Sequence, residues 1–485
     1  MRRLEIEAMH RDPSADLMAR AGEAAAKYAM QIVGSTGRRV LVLAGPGNNG
    51  GDAFEAAVHL KRAFYRVDVV HAGDPQKLRG EAASAWQKWR DAGGSTLKTI
   101  PADAPYDLII DGLFGIGLSK LIDGVYASFI EKINSTQAAI LALDVPSGLH
   151  SDTGAIASVA VRATHTITFI AHKPGLHTLD GPDHCGVLCL ATLGMDARAL
   201  HSPEGELLDA EVLRRLPLQR PRNFHKGKAG GVAIIGGDEG MIGAAILAGR
   251  AAIHLGAGKV FLGLLADPAP AMDDTQPELM WRKPEPALND SAVNVVVAGP
   301  GMGTGSAAQR VLSVALRSEK NLVLDADALN LLAAYGVLKS AASTRKAKTL
   351  MTPHPAEAAR LLETSVAQIQ SDRIEAALTL AKKFNASVVL KGNGSVCAGP
   401  SGRWWVNTSG NPGMSSAGMG DVLSGMIGAL LAQGCQADEA LNAAVYLHGA
   451  AADEAVAQGI GPIGLTAQEL IAPSRELLNR ALREA

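Results

Sequence analysis

Asn411-Pro412-Gly413-Met414-Ser415-Ser416-Ala417-Gly418-Met419-Gly420-Asp421-Val422-Leu423-Ser424-Gly425 is a run of glycines and small residues that leads into the apolar stretch Val422 to Leu431. The pattern predicts a loop that opens a helix at about Asp421. The first backbone N–H groups of a helix have no intrahelical partner and lie at the positive end of its dipole, so they suit a phosphate or a developing oxyanion. A carboxylate at that point repels a resting phosphate but is well placed to take a proton from an attacking hydroxyl. Phosphoryl transfer is one reading. Close helix packing at Gly418 and Gly420, with Asp421 as a simple N-cap, is the other.

The stretch resembles the signature of the ribokinase-like superfamily. Its asparagine-rich approach and Met-Gly-Asp end are similar to those of the ADP-dependent NAD(P)H-hydrate dehydratases. Working outward, the preceding residues alternate strand and helix. Gly231 to Ile235 leads to Gly236-Gly237-Asp238-Glu239-Gly240, and Met241 to Leu255 is a small-residue helix carrying Gly243 and Ala244. Asn294 to Ala298 ends in Gly299-Pro300-Gly301-Met302-Gly303, and Asn321 to Leu324 ends in Asp325-Ala326-Asp327. Lys348 to Met351 leads to Thr352-Pro353-His354-Pro355-Ala356-Glu357, and Ser387 to Leu390 feeds Lys391-Gly392-Asn393-Gly394-Ser395. Such alternation specifies an α/β sheet. His354 and Glu357 imitate a zinc pair, but Pro355 interrupts them and no third ligand follows. No Walker-type P-loop occurs after any strand. The resemblance covers about residues 207 to 480. It implies that Ala244, Gly303, His354 and Asp421 contact the hydrated nicotinamide nucleotide, and that Lys391, Gly392, Asn393, Gly394, Ser395 and Gly420 hold the adenine nucleotide, with magnesium and ADP as cofactors.

Further upstream, Asp196 to Arg220 is broken by Pro203, Gly205 and Pro217 and reads as a linker, which places two domains at 1–205 and 206–485. In the first, a helix over 14–33 precedes the buried strand Arg38 to Ala44. That strand ends in Gly45-Pro46-Gly47-Asn48-Asn49-Gly50-Gly51-Asp52-Ala53. Gly45, Gly47 and Gly50 satisfy a dinucleotide fingerprint, with Asp68 ending the next strand, so a dehydrogenase is a fair reading. A pyrophosphate cradle has no need of Asn48, Asn49 and Asp52, whose oxygens suit a cation or a polar substrate. Two further strands end alike, in Asp111-Gly112-Leu113-Phe114-Gly115-Ile116-Gly117-Leu118 and in Asp144-Val145-Pro146-Ser147-Gly148. Ligands of open parallel sheets lie beyond the carboxyl ends of the strands, so Asn49, Asp111, Asp144 and Ser147 are expected to face one crevice.

These motifs, with Phe169 to Leu176 later, resemble the NAD(P)H-hydrate epimerases over about residues 10 to 200. The resemblance implies a potassium ion held by Asn49, Asp111 and Ser147. It also implies a nucleotide cradled by Asn48, Asn49, Gly50, Gly51 and Asp52 and by Gly115, Ile116, Gly117, Leu118, Ser119, Lys120 and Leu121, with Asp144 at the nicotinamide ring. The sequence departs from the family at Ala53, where glycine is usual, and at Lys120, where arginine is common. The Ala53 methyl is expected to crowd the ligand, and Lys120 gives up bidentate phosphate binding.

The expected fold is therefore two α/β domains, a Rossmann-like three-layer sandwich followed by a ribokinase-like domain. The expected function is epimerisation of NAD(P)H hydrate and dehydration of its S form, with ADP giving AMP and phosphate. Its partners are expected to be hydrated NADH, hydrated NADPH and ADP, in a homo-oligomer. With 485 residues, 47% of them hydrophobic, the chain can bury large cores, and a net charge of −2 leaves no electrostatic footprint for nucleic acid. No run suits a membrane span and the first residues lack a secretory pattern, so the cytoplasm is the expected place. Four scattered cysteines provide no disulfide framework. A vitamin-precursor kinase fusion and a pure binding module are the rival readings.

Overall fold

The computed structural model describes residues 4, 7, 16–34, 36–101, 104–118 and 120–484, so Ser119 lies outside the described residues. The chain divides into two compact units, residues 1–203 and 204–485.

In the first unit the sheet order is β3 (Thr96–Leu97), β2 (Arg66–Val70), β1 (Arg39–Ala44), β4 (Leu108–Gly112), β5 (Ala139–Leu143), β6 (His165–Phe169) and β7 (Val187–Ala191). All its pairings are parallel. Such strands are covered on both faces, which is why Val40 to Ala44 and Leu108 to Ile110 read as unbroken apolar runs and are fully buried. The order reverses between β1 and β4. Their carboxyl ends therefore diverge and leave a crevice.

The second unit carries a ten-stranded sheet, ordered β11 (Met280–Arg282), β10 (Lys259–Leu264), β9 (Gly231–Gly236), β12 (Val295–Ala298), β13 (Asn321–Leu324), β14 (Thr349–Met351), β15 (Ser387–Leu390), β16 (Val396–Ala398), β17 (Trp404–Asn407) and β8 (Gly205–Leu208). It is parallel except at β15–β16 and β16–β17. Its switch point lies between β9 and β12. Helix Met419–Ala432 is apolar almost all round and packs closely on helix Ile242–His254, where a Cβ on Gly425 would stand 2.1 Å from the Ala248 carbonyl oxygen.

Two expectations need correction. The stretch read as a linker contributes β8, which pairs in parallel with β17 and buries Leu208, so the second unit begins slightly ahead of the expected boundary. Asp68 does not end its strand. It lies in the middle of β2, where its carboxylate accepts from Arg39 and from the Tyr106 hydroxyl, so it is not placed for a ribose.

Candidate functional site

In the first unit, Gly45 and Gly50 shape the turn between β1 and helix Asn48–Arg62. A Cβ on Gly50 would stand 2.0 Å from the Gly45 carbonyl oxygen, and one on Gly45 would stand 1.7 Å from that of Leu113. Only glycine lets these two strand-end loops touch. Asn49 is 8% exposed, yet neither Nδ2 nor Oδ1 of its amide finds a hydrogen-bond partner, and the amide lies beside Gly115. A buried amide left this way costs free energy unless something else fills its valence. Asn48 is exposed, and Gly51 turns its Cα toward Met18 and gives its N–H to the Gly47 carbonyl. Ala53 is fully buried, and its methyl is directed at Gly112 in β4. The expected crowding of a ligand by that methyl therefore does not arise.

Asp111, the last residue but one of β4, is fully buried. Its carboxylate accepts from the Ser147 amide at 2.8 Å, the Ser147 hydroxyl at 2.6 Å and the Leu113 amide at 3.2 Å. Burial outweighs these bonds and pushes its pKa up to about 6. Ser147 Oγ also accepts from the Phe114 amide at 2.8 Å, so Asp111, Ser147 and the Leu113–Leu118 turn form one knot. Lys120 and Leu121 at the end of that turn are exposed.

Asp144 follows β5 with φ +64°, a conformation costly for a residue with a Cβ and held here by its N–H on the Ile167 carbonyl at 2.7 Å. Its carboxylate accepts from Lys173 Nζ. Lys173 is 2% exposed and also donates to Thr168 Oγ1 and the Phe169 carbonyl, both at 2.8 Å. In the sequence, Lys173 lies within the stretch Phe169 to Leu176 without a role of its own. The available signal was a lysine two residues past the apolar strand end Phe169-Ile170-Ala171.

In the second unit, Gly418 at φ +89° caps helix Met419–Ala432, placing Met419, Gly420 and Asp421 in its first turn. A Cβ on Gly420 would stand 3.1 Å from Lys391 Nζ and 3.6 Å from Asp325 Oδ2, so the helix start abuts a charged cluster. Lys391 pairs with Asp325 at 3.1 Å, and Thr352 Oγ1 and the Ala326 amide donate to the same carboxylate oxygen. Burial, reinforced by Asp325, pushes Asp421 up to about 7 against the opposing pull of Lys391. Glu357 is likewise pushed up to about 7, by burial first. The cluster thus holds more carboxylates than its one lysine neutralises.

His354 caps helix Pro355–Leu362: its Nδ1 accepts from the Ala356 and Glu357 amides, while Glu357 accepts from the His354 amide at 2.8 Å. This reciprocal cap accounts for the H-x-x-E pattern. Gly303 at φ +68° donates to Asp327 at 2.8 Å, and a Cβ there would meet Asp238 at 2.6 Å. Ala244, not Gly243, faces this loop: the Ala244 methyl lies 3.1 Å from where a Cβ on Gly301 would be, whereas one on Gly243 would meet nothing. Asp238, Asp325, Asp327 and Glu357 are the acids that sequence reasoning left without a part in this crevice. Across the lysine, His448 is buried with Nε2 unpartnered, and burial together with Lys391 pushes its pKa down to about 4.

Two open α/β sheets in one chain, each with titratable side chains gathered beyond the carboxyl ends of its strands, define a two-domain α/β enzyme. The profile of a family described as "NAD(P)H-hydrate dehydratase" matches residues 232–474, and that of "YjeF-related protein N-terminus" matches residues 14–175. The chain is 38% identical to the "Bifunctional NAD(P)H-hydrate repair enzyme Nnr" of Coxiella burnetii, covering 96% of this chain and 95% of that one. It is 38% identical to the enzyme of the same name from Escherichia coli, covering 96% and 89%. Among solved structures it is similar to the ADP/ATP-dependent NAD(P)H-hydrate dehydratase of Bacillus subtilis co-crystallised with ATP and Mg2+, with TM-score 0.51, 29% identity, and coverage of 57% of this chain and 99% of that one. The chain belongs to the family of bifunctional NAD(P)H-hydrate repair enzymes, with an epimerase half and a dehydratase half.

Proposed function

We propose that the first crevice interconverts the R and S hydrates at C6 through Asp144, and that the second removes water from the S form through Asp421 with ADP as phosphoryl donor. The observation that carries the second assignment is a carboxyl with a pKa near 7 in the first turn of a glycine-capped helix, against Lys391. Hydroxide is a poor leaving group at neutral pH, whereas a phosphate ester leaves easily with push from the ring nitrogen. Asp421 takes the proton of the C6 hydroxyl as that oxygen attacks the terminal phosphoryl of ADP. The Gly418 to Gly420 amides stabilise the charge on the transferred group, AMP departs, and loss of phosphate from C6 followed by loss of a proton from C5 restores the dihydropyridine. A base whose pKa lies near the working pH is suited to this step.

The carboxyl of Glu357, beside the cluster, fits a divalent cation, and magnesium held there would neutralise charge on the phosphates. In the first unit, the partnerless amide oxygen of Asn49, together with Asp111 and Ser147, fits a potassium ion, which would anchor the nucleotide loop. We assign the nucleotide contacts there to Asn48 to Asp52 and Gly115 to Leu121. In the second unit we assign the hydrate to Ala244, Gly303 and His354, and ADP to Lys391 to Ser395 and Gly420. Lys173 holds Asp144 in place through a buried ion pair. No helix among the described residues is long and apolar enough to cross a membrane, and we place the enzyme in the cytoplasm as a homo-oligomer.

Asp421→Asn tests the assignment by separating the activities. Dehydration should fall by about a thousandfold or more while epimer exchange continues. Equal dehydration in the variant would refute the role of Asp421.

A further inference from the structure

Arg373 opens helix Arg373–Phe384 and is 2% exposed. Its guanidinium donates from Nη1 to Gln370 Oε1 at 2.7 Å and from Nη2 to the carbonyl of Leu390, the last residue of β15, at 3.1 Å. Nε has no partner, and Arg373 takes part in no ion pair among the described residues. The adjacent Asp372 is engaged as the helix cap, accepting from the Glu375 amide. Burying a full positive charge without an anion is costly, and burial alone pushes this guanidinium down to about 10.

The cation sits against the turn that follows β15. Gly392 has φ +148°, and a Cβ there would stand 2.8 Å from Nη2 and 2.9 Å from Nη1, so the guanidinium occupies the space a side chain would need. The rest of the turn is fastened by Ser395, whose Oγ accepts from the Gly392 amide and donates to the Gly392 carbonyl. Lys391, the other cation of the turn, is already paired with Asp325 and faces Glu357 and Asp421 as well. The uncompensated positive charge beside the turn therefore belongs to Arg373.

We infer that Arg373 is a positioning residue for the adenine nucleotide: from beneath Gly392 it holds the Lys391–Ser395 turn in its binding shape and supplies the counter-charge that the turn's own lysine cannot. The inference rests on the assignment of that turn to ADP. An anion on the turn recovers the electrostatic free energy that the buried guanidinium lacks in the free protein, at short range and with little water between.

The test is steady-state dehydration by the full chain, varying ADP and S hydrate separately, in Arg373→Met, Arg373→Lys and Ser395→Ala, with thermal unfolding as the check on folding. Arg373→Met should raise KM for ADP about tenfold while kcat and KM for the hydrate stay within about twofold. Arg373→Lys, which keeps the charge and loses the fork, should raise it about threefold. An unchanged KM for ADP in a folded Arg373→Met, or a rise in both KM values matched by a fall in stability, overturns the inference. If the methionine variant does not fold, the lysine variant decides by the same ADP-specific rise. A raised KM for ADP in Ser395→Ala alone refutes Arg373 and leaves the turn assignment standing. No effect of any of the three on ADP refutes the turn assignment too.

Discussion

Asp421 and Asp144 follow opposite electrostatic strategies. Asp421 is half-buried beside other carboxylates and holds its proton to about pH 7, whereas Asp144 is gripped by the buried ammonium of Lys173. The first arrangement has a consequence for stability. A carboxyl whose pKa rises from 3.8 unfolded to about 7 folded contributes stability that is present below about pH 4 and lost as pH rises through about 7. Asp421→Asn lacks that loss. Without nucleotide its second unit should melt roughly 2–6 °C above the parent at pH 8, and the gap should close toward pH 5. A gap that widens on acidification would contradict the burial account. Lys173→Met, by contrast, should abolish epimer exchange and leave dehydration of purified S hydrate intact, as read by single-epimer assays. Asp421 was legible because glycines and an acid at a helix start are adjacent in sequence. Lys173 and Arg373 were not, because each acquires its meaning from a neighbour brought close only by folding, Asp144 in one case and Gly392 in the other.

At the scale of elements, the strand ends were the most readable feature. Parallel strands buried on both faces must be continuous apolar runs, and the glycines after them mark where loops approach one another, as Gly45 approaches Leu113. β8 was not readable. Its four residues, Gly205 to Leu208, form a strand only because Trp404 to Asn407 lies alongside, some two hundred positions later. Leu208 is 1% exposed and belongs to the core of the second unit. Leu208→Ala should therefore cost about 2–4 kcal/mol in denaturant unfolding of that unit. A linker residue would cost nothing, so an unchanged midpoint would return the stretch to the linker reading. Strand β2 has the converse lesson. Asp68 matched the spacing of a dinucleotide fingerprint, but spacing does not show where a strand stops, and its partners Arg39 and Tyr106 hold it within the sheet.

Over the whole molecule, each sheet has its own switch point and its own chemistry at the strand ends. The two chemistries are complementary: a dehydratase that accepts one epimer leaves the other behind unless something exchanges them. The most direct measurement is therefore made on the full chain with a mixture of R and S NADH hydrate, magnesium, potassium and ADP, following recovery of the dihydronicotinamide absorbance. The account predicts complete recovery of both epimers, with the S share restored even when Asp144 is replaced by asparagine. Recovery that stops at the S share in the parent enzyme, or fails with both ADP and ATP, would contradict it.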